Sequence, residues 1–233
     1  MSSSDDDSIN EIDSPPANPP TGAGAGGSFI TFPNLNCLAI IIILTSTGMV
    51  NLKDLSFAVF SLIYLYFLSK VAFPTLSSDP NHSPPPVFGE TNKILGLYVL
   101  AGAIIGLFIP MAYIFEGIIK GDKDGIKAAC PHLFLLSCQV LMEGLTFYGG
   151  FSLPIRVFVP VFYNSRRVMV IVDWIREEMW KMDHGDGGGS RVYVGVGIGI
   201  LNMGFWSFNL FGFLLPVYLP MAFKKYYLVN KDL

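Results

Sequence analysis

Three stretches of the chain carry no charge at all: residues 14–52, 94–115 and 192–223. Apolar side chains dominate each, and a helix needs roughly 20 of them to cross the hydrocarbon core of a bilayer. The apolar pattern as a whole predicts five spans, at about residues 35–50, 55–73, 94–119, 128–151 and 192–219. Lys70 falls near the end of the second, where its long stem can reach the headgroups. In the third, Gly102 and Gly106 form a small-residue pair that lets a neighbouring helix come close, and Pro110 is expected to kink the span. Pro216 and Pro220 are expected to close the fifth.

Between the fourth and fifth spans the pattern changes. Pro154 and Pro160 interrupt the first part; from Asn164 onward, Val168, Ile171, Val172, Ile175, Met179 and Met182 recur at helical spacing. Arg166, Arg167, Asp173, Arg176, Glu177 and Lys181 occupy the other side, and Trp174 and Trp180 suit the headgroup level. This reads as an amphipathic helix over 164–182 lying on the membrane surface. A sixth span is disfavoured, because it would carry Arg166 and Arg167 to the middle of the bilayer.

Composition agrees with a membrane class. Charged residues make up 14% of the chain, against about 25% in soluble domains. The fold class expected is therefore all-α: a polytopic transmembrane bundle of about five spans plus one amphipathic interfacial helix. Residues 1–28 are acidic and rich in Pro, Ser and Gly, which predicts a disordered tail. Residues 29–227 form one membrane domain, and 228–233 a short C-terminal tail. The acidic start resembles neither a signal peptide nor a transit peptide, so the endomembrane system is the default location. Asn81-His82-Ser83 is the one glycosylation pattern, followed directly by Pro84. Basic residues divide almost evenly between the two sides of a five-span chain, so the positive-inside rule gives no orientation.

Candidate chemistry lies in the fourth span. His132, Gln139 and Glu143 are offset by 7 and 11 residues, which puts them within about 40° on one helix face. Such a stripe, with Glu116 of the third span nearby, can line a proton or solute path, or can hold helices together by hydrogen bonds. Arg166 and Arg167, with Asn164 and Ser165, form a candidate grip on a lipid phosphate, or else an anchored polar face. Asn202 and Asn209 make a second polar stripe, best read as interhelical hydrogen bonding. Gly195, Gly197 and Gly199 open an apolar span rather than follow a strand, so close packing is favoured over a phosphate loop. The cysteines have no metal spacing, and no catalytic signature is visible. No catalytic residue, metal or cofactor is expected. The partners expected are the lipid bilayer and either other membrane proteins or a second copy of the chain, not nucleic acid. Two functions remain open: a non-enzymatic accessory or adaptor subunit of a membrane complex, and a small-solute or proton-coupled transporter using the His/Gln/Glu stripe.

Four stretches carry a family likeness: VFGETNKIL at 87–95, FSLPIRVFVPVFYNSRRV at 151–168, IVDWIREE at 171–178 and FNLFGFLLPVYLP at 208–220. Together they resemble a plant family of small multi-pass membrane proteins classed as a domain of unknown function, over about residues 29–227. The resemblance implies a plant source and a membrane location. It implies no activity and no site residues.

Overall fold

The computed structural model describes residues 32–75, 93–184 and 189–229. The acidic tail expected over 1–28, the glycosylation pattern at Asn81 and the C-terminal residues 230–233 lie outside them. Among the described residues every regular element is helical, and the helices form six rods. These are α1 (Phe32–Ser46), α2 (Leu52–Val71), α3 (93–120), α4 (Lys123–Tyr148), α5 (Leu153–His184) and α6 (190–229). Four stretches are long and apolar enough to cross a membrane: Leu52–Val71, Gly96–Lys120, Lys123–Tyr148 and Ser190–Leu228. The α1 rod is apolar but shorter.

Tight turns join the rods because glycine can take the left-handed conformation that stops a helix. Gly48, Gly121 and Gly150 all have φ between 64° and 73°. Behind each, the next N–H reaches back five residues: Met49 to Leu44, Asp122 to Gly117 and Phe151 to Thr146. The chain therefore reverses within a few residues, and successive rods run antiparallel. Asp122 then caps α4 by accepting from the Gly125 N–H at 2.9 Å.

Prolines behave differently from the sequence reading. Pro154 sits in the first turn of α5, where no earlier carbonyl needs its N–H. Pro160 is carried inside that helix. As a result α5 starts at Leu153, not near 164, and runs for 32 residues. Pro216 does not end α6. It lies inside a run of wide, π-helical turns at Phe208–Tyr218, after which the rod continues to Val229. A similar wide stretch, Ile104–Phe108, precedes Pro110 in α3.

The α5 rod is the central post. Ile155, Val159, Tyr163 and Val170 enter one apolar cluster with Leu65 of α2 and Phe134, Leu135, Cys138 and Met142 of α4. Leu153, Val157 and Val161 face Leu210, Leu214 and Ala222 of α6 in a second cluster. Trp174 packs with Tyr113, Ala128 and Ala129 in a third. The amphipathic helix expected over 164–182 is the later part of this longer rod. One of its faces, with Asn164, Arg167, Trp174 and Glu178 at i, i+3, i+10 and i+14, has essentially no exposed surface and points into the bundle. Of the polar side read from the sequence, Asp173, Arg176 and Glu177 are exposed, and Arg166 and Lys181 are half-buried.

Burial divides the candidate spans. The best window of α4 is 78% buried, whereas those of α2 and α3 are each 17% buried. Seen along the rods, Asn34 near the start of α1 lies against Gly144, and Tyr226 near the end of α6 donates to the Pro74 carbonyl beyond α2. Both ends of the described chain therefore fall at the same end of the bundle.

Glycines set the α5–α6 distance. A Cβ at Gly199 would come within 2.6 Å of Ile175 Cγ1, and one at Gly195 within 2.7 Å of the Tyr113 hydroxyl, whereas one at Gly197 meets nothing within 4 Å. Of the three glycines expected to serve close packing, Gly195 and Gly199 do so and Gly197 does not. Gly199→Leu should therefore destabilise the protein by about 1–3 kcal/mol through overpacking. Gly197→Leu, two residues away on the same helix, should not. Thermal unfolding of the two variants in detergent makes the comparison.

Candidate functional site

Three polar assemblies occupy the bundle, and each includes residues of α5. The first is interior except at its Glu143 end. The Arg167 guanidinium lies over the Trp206 ring at 4.1 Å, donates to Gln139 Oε1 at 2.5 Å and to Asn164 Oδ1 at 3.1 Å. Gln139 in turn donates through Nε2 to Glu143 Oε1 at 2.8 Å. A buried guanidinium is tolerated only where fixed dipoles replace its hydration, and here two amide oxygens and an indole face do so. Glu143 ends the chain. Protein packs round it, yet it keeps exposed surface.

His132 stands apart from that chain. Its Nε2–H donates to the Gly106 carbonyl at 2.8 Å, and the ring lies between Trp174 and Trp206 at 6.2 and 6.4 Å. The reason is legible in α3. An α-helix would fill the residue-106 carbonyl from the N–H of residue 110, and Pro110 has none. His132 supplies the missing donor from the neighbouring helix.

The second assembly closes one end of the bundle. Arg191 donates through Nε to Asp122 at 2.7 Å, through Nη1 to Glu116 at 2.8 Å and through Nη2 to the Tyr113 carbonyl at 2.9 Å, and lies 4.0 Å over the Tyr113 ring. Tyr113 donates to buried Glu178 at 2.8 Å, which Lys181 also meets at 3.2 Å. Burial raises the Asp122 carboxyl, but hydrogen bonds from Arg191 and the Gly125 N–H outweigh it and hold the group below the usual aspartate value. The third assembly is a single pair, Arg166 with Asp54 at 2.8 Å, between α5 and the first turn of α2.

The residues singled out from sequence are thus only partly united. Gln139 and Glu143 meet directly, and Arg167 joins them. His132 is committed to α3. Glu116 does not belong to the stripe: it pairs with Lys120 and Arg191 at the bundle end. Arg166 and Arg167 do not form one phosphate grip, since consecutive helical residues point in different directions and Arg167 has no exposed surface. Asn209 accepts from Tyr98 of α3 at 2.7 Å, as interhelical bonding required, while Asn202 bonds within its own helix, to the Ile198 carbonyl and Trp206. Sequence reasoning missed the Arg191 assembly. Its signal was present: a lone arginine opens a 32-residue uncharged stretch, and Asp122 stands three residues before Gly125 as a helix cap.

Residues 30–227 match the family model described as a domain of unknown function, DUF7733. The chain belongs to that family. Among curated proteins and among solved structures, none matches it. The DUF7733 match covers the first five rods and all but the last two residues of the sixth, so the three assemblies lie wholly within the family domain.

The His132 contact is testable through its cause. His132→Leu should leave the Gly106 carbonyl unmet and destabilise the fold by about 1–3 kcal/mol. Adding Pro110→Ala restores an N–H to α3 and should recover much of the loss. A double-mutant cycle on unfolding midpoints measures this coupling.

Proposed function

We propose that this chain is an integral membrane protein that crosses the bilayer six times and serves as a non-enzymatic accessory subunit of a membrane complex. The observation that carries the second part is Glu143. It is an ionisable group with exposed surface on an otherwise apolar helix face, and its one hydrogen-bond donor among the described residues is the neutral amide of Gln139. Inside lipid such a group pairs with another polar side chain. A helix of a companion protein, bearing a cation or an amide at that depth, fits the chemistry. The wide exposed faces of α2 and α3 offer further apolar surface.

The six-crossing topology follows from α5. It packs antiparallel along α4, with Arg167 at Gln139 and Trp174 at Ala128 and Ala129, and along α6 from Val157 at Leu214 to Glu178 at Gly195. Two helices that cross a bilayer carry a third, packed between them, to the same depth. Internal partners for Arg167 and the Asp54 carboxylate for Arg166 remove the objection that two arginines would face lipid. An even number of crossings places both termini on one side, and tags at the N- and C-terminus should show the same protease protection in sealed microsomes. Opposite protection would return the chain to five crossings.

The subunit reading predicts that mild-detergent purification from native membranes yields a stoichiometric companion. Glu143→Leu should lose it while the variant still unfolds cooperatively. A companion equally retained by Glu143→Leu would remove the main support for this reading. One observation favours a second function. The hydrogen-bonded run Glu143–Gln139–Arg167 is the kind of element a proton-coupled transporter uses, and for that role Glu143→Gln must abolish flux in proteoliposomes.

A further inference from the structure

The α3 rod changes partner halfway along. Its second half lies on α4, where the Gly106 carbonyl accepts from His132 at 2.8 Å and Tyr113 packs with Ala128 and Ala129. Its first half lies on α6. There Tyr98 donates to Asn209 at 2.7 Å and stacks on Phe205, and a Cβ at Gly102 would meet the Phe205 ring at 3.3 Å. The wide turns at Ile104–Phe108, just ahead of Pro110, stand at the change, and such turns and prolines are where helices bend. The face of α4 that α3 covers at His132 is therefore uncovered further on. Leu136 and Val140 are half-buried there, and Glu143 and Phe147 are exposed. These four stand at i, i+4, i+7 and i+11, a stripe one residue wide. Buried Gln139 and Met142 border it on one side, and Gly144, held against Asn34 of α1, on the other.

The charges around Glu143 come from its own chain. Gln139 joins it to Arg167, accepting from the guanidinium and donating to the carboxylate, and Glu143 is the carboxylate whose charge acts on Arg167. Arg156 of α5 lies 4.7 Å over the Phe147 ring, one turn along the stripe, and donates to the Phe151 and Phe147 carbonyls. One carboxylate thus stands near two guanidinium groups. A third cation would leave excess positive charge in the bilayer, where an uncompensated charge is expensive. Hydrogen bonding is different. A carboxylate has about four lone-pair sites, and among the described residues Gln139 is the one donor to this one. What the site can still take is a donor without a charge.

We propose that the companion helix meets Glu143 with a neutral hydrogen-bond donor, the side chain of Asn, Gln, Ser or Thr, and carries no Lys or Arg at that level. The helix lies along the stripe of Leu136, Val140, Glu143 and Phe147, between α1 and the first half of α3. The inference rests on the accessory-subunit reading above, and it decides between the cation and the amide that an exposed carboxylate alone allows.

Two measurements test it on the full-length protein purified from native membranes in mild detergent. Glu143→Gln keeps an acceptor oxygen and drops the charge, so it should retain the companion within about twofold of wild type. Glu143→Leu should lose about fivefold or more. Equal loss in both variants overturns the proposal in favour of a cation. Benzoylphenylalanine in place of Phe147 leaves Glu143 intact, so this arm holds even where Glu143→Gln weakens the fold. Ultraviolet light should join it to a transmembrane segment of the companion with Asn, Gln, Ser or Thr within one turn of the crosslink and no basic residue there. A segment bearing Lys or Arg at that place, or a crosslink to lipid alone, overturns the proposal. A companion retained equally by wild type and Glu143→Leu would instead remove the accessory-subunit reading itself, so the two failures are distinguishable.

Discussion

Arg167 sets the terms on which the bundle is assembled. A guanidinium cannot lose its protons, and removing it from water without compensation costs several kcal/mol. It can lie at the centre only if α4, α5 and α6 arrive together: α4 brings Gln139, α5 brings Asn164, and α6 brings the Trp206 face. Apolar packing between helices is non-directional and tolerates sliding, whereas these contacts do not. A displacement of α4 by one turn along α5 would leave the charge without its acceptor. The register of the three most buried rods is thus specified by one polar residue, much as a single buried polar side chain specifies register in coiled coils.

The other polar contacts extend that register outward. Glycine seams let α6 approach α5 closely enough for Tyr113 and Glu178 to bond across them, and the Arg191 assembly ties the α3–α4 turn to the start of α6. Where α3 has a proline, α4 supplies a histidine. Such local exchanges matter more inside lipid than in water, because an unmet carbonyl there has no solvent to turn to. Buried His132 thus has a structural reason in the helix beside it.

The helical class and the apolar stretches were legible in the sequence, since uncharged runs of that length have few other uses. So were the close-packing glycines and the Asn209 bond. The direction of α5 was not. Its periodicity is that of an amphipathic helix, and periodicity says that two faces differ without saying which faces inward. Asp173, Arg176 and Glu177 keep the exposed polar side that this periodicity implies, while Gln139, Trp206 and Tyr113 enclose Arg167 and Glu178 on another. The prolines misled for a related reason. Pro154, Pro160 and Pro216 are helix breakers in isolation, but a first turn and a widened turn accommodate two of them, and tertiary packing holds the rest of each rod in place.

These contacts also separate the groups that complete the fold from those that remain available to other molecules. His132, Asn164, Arg167 and Glu178 are enclosed, and their partners belong to the same chain. Glu143, Lys53 and Lys127 are among the charged groups left open: each has exposed surface, and none has an ion-pair partner among the described residues. They lie at different depths, Glu143 beside the middle of α5 and the two lysines where α2 begins. Register inside the bundle and charge at its surface are therefore carried by different residues: removing one of the enclosed groups would leave a partner unmet within the fold, whereas removing the Glu143 carboxylate would cost Gln139 one bond.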